Sequence, residues 1–409
     1  MPESALVNRP PTHAATHISG TPEVLIAGGG VIGSAIAYFL ASDPGFAGQV
    51  VVVEPDPGYQ RASTPRSVGG IRQQFSTPEN IHMSAFGASF LRAAGQHLAV
   101  DGDGPDVALR EHGYLFLASS GGHAVLADNH RVQRACGADN VLLTPQQLAE
   151  RFPWLATDGI AAGCLGQSGE GWLDPHALLH GFRRKARSLG VQHLHDAVSG
   201  ITVHAGRIDA VRLAAGRTLH PGVLVNAAGA RARELAAMAG VDLPVHPRRR
   251  QVFAIECRAA LPGCPLVIDP SGLYFRPEGT LFLCGISPPV HEDPDCLDLH
   301  VDADWFEQRL WPGLAARVPA FEAVKVRNAW AGHYAMNTFD ANAILGPHPE
   351  IANLHFANGF SGHGLQHSPA VGRALAEHIV HGGYRSIDLT RLGFERIAAR
   401  EPVLERNVV

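Results

Sequence analysis

One stretch near the start of the chain constrains the rest more than any other feature. Val24-Leu25-Ile26-Ala27 is a short apolar run of the kind that forms a buried parallel strand, and Gly28-Gly29-Gly30-Val31-Ile32-Gly33 follows it without a gap. Gly28, Gly30 and Gly33 have G-x-G-x-x-G spacing. Ser34 to Ala41 has the apolar content of a helix, and Gln49 to Glu54 reads as a second strand ending in an acid. Strand, glycine turn, helix and strand together form a unit that binds a dinucleotide. Gly28 permits the tight turn, Gly30 lets the backbone approach a pyrophosphate, and Gly33 lets the helix pack closely on the strand. The helix N-terminus, with Val31 and Ile32 in its first turn, offers free N–H groups and a partial positive charge to phosphates. Glu54 lies 21 residues beyond Gly33, where a carboxylate can accept hydrogen bonds from the adenosine ribose. An acid there opposes a 2′-phosphate and disfavours NADP. The motif alone does not separate FAD from NAD.

At 409 residues the chain is too long for one hydrophobic core and suits two lobes. A net charge of −5 gives no pull toward nucleic acid or an anionic membrane. Arg248-Arg249-Arg250 reads as a solvated face, as a short charge run usually is, and no aromatic platform is interleaved with it to suggest nucleic-acid binding. The six cysteines include no C-x-x-C pair, so neither a metal site nor a disulfide framework is expected. Scattered thiols fit a reducing, cytoplasmic location, and most read as small buried hydrophobes. Residues 1–21 are rich in Pro, Thr, Ala and His, lack the features of a secretory signal, and read as a flexible leader. No apolar run reaches the length of a membrane span.

Three further segments separate FAD from NAD. Ser63 to Phe75 (STPRSVGGIRQQF) is rich in Gly, Ser and Arg without a strand pattern; Val223 to Ala230 (VLVNAAGA) is a strand and turn; Asn358 to Pro369 (NGFSGHGLQHSP) is a glycine turn opening a helix. With the first motif, and in the same order, they resemble the D-amino-acid oxidase family of FAD-dependent oxidoreductases. That family includes sarcosine oxidases, glycine oxidase and dimethylglycine dehydrogenase, and the likeness runs from about residue 22 to residue 395. It implies an α/β fold: a discontinuous Rossmann-like FAD-binding lobe (22–100, 160–243 and 331–409) and a substrate lobe (101–159 and 244–330) on a mainly antiparallel β-sheet. The sequence itself predicts an amphipathic helix over 175–189 and a hairpin from 200–203 and 210–213. It also predicts successive strands at 251–255, 272–276 and 280–285.

The resemblance implies FAD, and non-covalent FAD is expected because the position of the flavin-linking cysteine of sarcosine oxidases falls near His333. The resemblance places cofactor contacts at Ser67, Gly69 and Gly70 in the loop along the flavin, at Val198, and at Ala228 and Gly229. The flavin-facing turn adds Gly359, Ser361, Gly362, His363, Gly364, Leu365 and Gln366. The last helix, starting near Gly364 and running through Val371, Leu375 and Ile379, would aim its N-terminus at the flavin edge that gains negative charge on reduction. Tyr274 and Arg276 share one strand face and could hold a carboxylate together. Arg72, His363 and Gln366 complete the candidate catalytic set, and His367 is expected at a structural, solvent-facing position. The implied reaction is oxidation of the C–N bond of an amino acid or a secondary amine, giving an imine that hydrolyses. The partners would be that small molecule and oxygen or an electron carrier.

Three positions depart from the sarcosine oxidase pattern. Gln366 replaces a carboxylate-binding lysine, Leu283 falls near the lysine implicated in oxygen activation, and His333 falls near the cysteine that links flavin. These departures keep open a dehydrogenase that passes electrons to a quinone or carrier, and a flavoprotein with an assembly role. An NAD-dependent dehydrogenase is the competing reading from the first motif alone.

Overall fold

The computed structural model describes residues 21–407, so the expected leader, Thr21 apart, lies outside the described residues. One sheet has six strands. In spatial order they are Ile344–Pro347, Leu354–Asn358, Val223–Asn226, Val24–Ala27, Val50–Glu54 and Gln192–His195. All neighbours pair in parallel except the edge strand Ile344–Pro347. The central strands are fully buried because helices cover them, which is why Val24–Ala27 is apolar at every position. Helix Val31–Ser42 follows the glycine turn. An added Cβ on Gly33 would lie 1.9 Å from the Gly28 carbonyl oxygen, so only glycine lets this helix sit so close. Helices Pro78–Arg92, Pro175–Ser188 and Gly364–His381 pack into the same apolar cluster.

The second sheet has eight strands. Their order is Lys325–Asn337, Val245–Glu256, Leu281–Gly285, Tyr274–Glu278, Leu266–Ile268, Tyr114–Ala118, Ala162–Gly166 and Asn140–Leu143. Only the Leu266–Ile268 to Tyr114–Ala118 pairing is parallel. Alternation divides its faces: Phe253, Ile255 and Phe275 enter an outer core with Phe306 and Phe321, while Val252, Ala254 and Leu283 pack on the other side with Val68 and Trp330. The α/β architecture is that expected. The 175–189 helix, the hairpin (Val198–His204 with Arg207–Leu213), the three strands and the helix start at Gly364 are all present.

Two lobe boundaries need correction. Ala162–Gly166 belongs to the antiparallel sheet, so the first substrate segment continues past 160. Strand Lys325–Asn337 crosses 331 without a break, joined along its length to Val245–Glu256. Among the described residues no helix is long and apolar enough to cross a membrane.

Candidate active site

The first strand of the parallel sheet lies where the strand order turns back on itself. The chain goes from Val24–Ala27 to Val50–Glu54 on one side and later to Val223–Asn226 on the other. Ligands of open α/β sheets bind at such a switch point, beyond the carboxyl ends of the strands. A cavity of about 630 Å³ opens there and extends to the antiparallel sheet. Gly28, Val31, Ile32, Glu54, Ser67, Gly70, Val198, Ala228, Gly229, Ser361, Gly362, Gly364 and Leu365 line it, with Arg72, Tyr274, His363 and Gln366.

Four expected cofactor glycines stand behind this lining. Gly30 is the N-cap of helix Val31–Ser42, and Gly33 seats that helix. Gly69 has φ +77 and its added Cβ would lie 2.1 Å from the Leu173 carbonyl oxygen, so it shapes the loop. Gly359 supports the last turn against Val245 and Asn337.

The cavity suits FAD on several counts. Helices Val31–Ser42 and Gly364–His381 both begin at it, and neither has a side-chain cap bond or an acid in its first turn. Apart from Val31 N, which donates to Thr64 Oγ1 at 3.3 Å, their first-turn N–H groups and their partial charges are available to phosphates at one end and to an anionic ring edge at the other. Glu54 accepts hydrogen bonds from Gly29 N and Asp56 N, both at 2.8 Å, and keeps lone pairs for ribose hydroxyls. His333 lines the cavity, and its buried Nε2 has no partner among the described residues.

At the antiparallel-sheet end, the charges are unevenly matched. Arg250 makes a bidentate pair with Asp293 (2.8 and 2.7 Å) beside the Tyr334 ring. Arg72, 3% exposed, has no carboxylate within ion-pair distance among the described residues. Its guanidinium lies 4.0 Å from the centre of the Phe75 ring. It donates to the Gln74 carbonyl, to the Asn407 carbonyl at 2.5 Å and to His363 Nε2 at 3.0 Å. An arginine cannot accept, so His363 Nε2 must, and the imidazole hydrogen sits on Nδ1. Burial and the neighbouring guanidinium hold the His363 pKa well below its ordinary value, in keeping with a neutral ring. Burial raises the hydroxyls of Tyr114, Tyr274 and Tyr334, so all three stay neutral. Gln366 accepts from Arg72 N through Oε1 (2.7 Å).

Several expectations are corrected here. Arg276 does not reach the cavity: its guanidinium donates to the carbonyls of Val68 (2.7 Å) and Pro277 (2.7 Å) and pairs with Glu278, beside Trp172. It follows the face of Tyr274, as alternation requires, but the 63–75 loop lies over that part of the face. His367 is buried, with Nε2 3.1 Å from Ser84 Oγ, and does not face solvent. The arginine triplet is no solvated face. Arg248, Arg249 and Arg250 pair with Asp295, Asp298 and Asp293 of the segment after Gly285, and Arg250 lines the cavity. Arg250, Tyr114 and Tyr334 were missed as site residues. Extending the alternation of Val252 and Ala254 back by one step would have placed Arg250 on their face.

Gln74 joins Arg72 to a buried carboxyl group. Its Nε2 donates to Glu170 Oε2 (2.8 Å), and Gln73 N donates to Glu170 Oε1 (2.7 Å). Burial pushes the Glu170 pKa from 4.5 up to about 7, against these hydrogen bonds and the Arg72 charge. Between those values the folded chain keeps a proton that the unfolded chain has released, so stability falls as pH rises through that window and levels off above it. The full effect is about 3 kcal/mol by linkage. Glu170→Gln should remove this dependence, so its stability relative to the unmodified chain improves between pH 5 and 8; parallel urea-denaturation profiles would refute the assignment.

A family model described as DAO, FAD dependent oxidoreductase, matches residues 23–378. FAD-dependent oxidoreductase domain-containing protein 1 of Xenopus laevis is 46% identical, over 95% of this chain and 85% of its own length. Mitochondrial dimethylglycine dehydrogenase of Homo sapiens is 25% identical, over 91% of this chain and 44% of its own. The crystal structure of L-proline dehydrogenase from P. horikoshii superposes with a TM-score of 0.81 at 26% identity, covering 94% of this chain and all of that one. With a cavity built at the switch point of its parallel sheet and a match across most of its length, the chain belongs to the DAO family of FAD-dependent oxidoreductases.

Proposed function

We propose that this protein oxidises the C–N bond of an amino acid or an N-alkylated amino acid. The observation that carries this reading is Arg72, a buried cation lining the flavin cavity without a carboxylate of its own. An uncompensated buried charge is costly, and a substrate carboxylate would satisfy it. Bound FAD supplies a two-electron acceptor for hydride from the carbon beside nitrogen. Arg72 fixes the carboxylate end, which orients that carbon. Neutral His363 holds the guanidinium, and Tyr114, Tyr274 and Tyr334 offer hydroxyls to the amine without adding charge. Gly362 keeps the turn close, since an added Cβ would lie 2.5 Å from the Tyr334 ring. No side-chain base is needed when the amine binds neutral. FAD is held non-covalently, with Ser67, Val198, Ala228 and the 361–366 turn around it.

A specific feature favours an acceptor other than oxygen. Leu283 is buried among Val252, Ala254 and Val68, so no cation stands at that point of the sheet. The names of dimethylglycine dehydrogenase and L-proline dehydrogenase fit a dehydrogenase. The holoprotein should therefore reduce an artificial dye acceptor with a carboxylate-bearing amine faster than it reduces oxygen. Turnover of decarboxylated amines with equal KM would overturn the substrate class.

A further inference from the structure

The last described residues return to the cavity from behind. Val403 N donates to Asp340 Oδ2 (3.0 Å) and Glu405 N to the Asp340 carbonyl (3.1 Å), which ties the segment to the loop after strand Lys325–Asn337. The Glu405 side chain is 5% exposed and has no cationic partner among the described residues. Neutral donors hold it instead. Oε1 accepts from Ser76 N (2.8 Å) and Ser76 Oγ (2.7 Å); Oε2 accepts from Thr77 N (3.2 Å), Thr77 Oγ1 (3.0 Å) and Asn80 Nδ2 (3.0 Å). This carboxylate, from a distant part of the chain, ties down the two residues before helix Pro78–Arg92 and the Asn80 side chain in its first turn, where the helix partial charge favours an anion; Thr77, the N-cap residue, gives no side-chain cap. Glu405 Oε1 also receives Asn407 N (3.0 Å), and Asn407 Nδ2 donates to the Gln74 carbonyl (2.9 Å). The Asn407 carbonyl is thereby fixed where it accepts from the Arg72 guanidinium at 2.5 Å.

We infer that residues 401–407 act as a positioning strut for Arg72, anchored by Glu405 and ending on the Asn407 carbonyl, and so set the affinity of the cavity for a carboxylate. The inference rests on the reading of Arg72 as the carboxylate site. Gln74, Asn407 and His363 take three of the five guanidinium N–H groups as neutral acceptors, so the planar group is oriented while its charge stays available. Asn407 is the one of these acceptors that lies far from Arg72 in sequence and outside the flavin loop and turn. Glu405 and Asn407 are positioning residues; neither lines the cavity.

The test uses FAD-loaded protein, with propanoate as an unreactive carboxylate probe and propanamide as its neutral counterpart. Binding is read by calorimetry and by the flavin difference spectrum. Arg72→Ala should weaken propanoate and leave propanamide unchanged. Glu405→Ala should do the same by roughly ten-fold, the size of one misplaced charge-assisted hydrogen bond, with FAD affinity unaltered. Asn407→Gly keeps the Glu405 anchor and removes only the bond to Gln74; it should shift propanoate in the same direction by less, and it carries the comparison if Glu405→Ala does not fold. If Arg72→Ala weakens propanoate while the 405 and 407 variants bind it as before, the strut is overturned and the Arg72 reading stands. If Arg72→Ala changes nothing, or the unmodified protein prefers propanoate no more than propanamide, both are overturned.

Discussion

Gly28→Ala should give a folded chain that purifies without flavin. Gly28 has φ +107, a conformation an alanine adopts only under strain. Its added Cβ would lie 2.3 Å from the Ala227 carbonyl oxygen and 2.7 Å from the Ala227 carbonyl carbon. Both are backbone atoms and cannot rotate away. Relief requires the first strand and the Val223–Asn226 strand to separate at their carboxyl ends, where the cavity begins. The helix N-terminus and the Ala228–Gly229 turn would then no longer face the same ligand. FAD affinity should fall by about 100-fold or more, since a shift near 1 Å at a preorganised site has effects of that order. The first strand stays paired with Val50–Glu54 and, away from its carboxyl end, with Val223–Asn226, so far-UV circular dichroism should stay native. A Gly28→Ala chain with full flavin absorbance would contradict the placement of the cofactor.

Arg72→Ala should leave flavin content intact and raise KM for a carboxylate-bearing amine by roughly 10- to 100-fold, the range of a lost hydrogen bond to a charged group. Truncation also orphans the Asn407 carbonyl and His363 Nε2 and leaves the Gln74 carbonyl with Asn407 Nδ2 alone, so the thermal midpoint should fall as well. Arg72→Lys separates the two effects. Lysine keeps the charge but cannot bridge three acceptors and a substrate in one plane, so it should recover part of the binding and little of the geometry. An unchanged KM in both variants would remove Arg72 from the substrate site.

What the sequence revealed and what it hid follow from the range of the interactions. The dinucleotide unit was legible because its glycines, strand and helix are adjacent, and each is set by local sterics. The start of the last helix at Gly364 was legible for the same reason. Arg276 misled because alternation gives the face of a strand but not what covers it, and the Val68 carbonyl comes from 208 residues away. The arginine triplet misled because the partners of Arg248 and Arg250 lie 47 and 43 residues downstream, in a segment with no periodic signal. Ala162–Gly166 (AGCLG) has neither alternation nor β-branched residues, so nothing marked it as a strand of the second sheet. Asn407 contributes a backbone carbonyl, which no residue type announces.

The most direct test of the central claim is an anaerobic titration of the FAD-loaded protein with amino acids, N-methylated amino acids and their decarboxylated counterparts, followed by flavin absorbance. The account predicts that at least one carboxylate-bearing amine bleaches the flavin in a single turnover, and that its decarboxylated counterpart does so only at much higher concentration. Bound flavin that no amine bleaches, or that both series bleach equally, would contradict it.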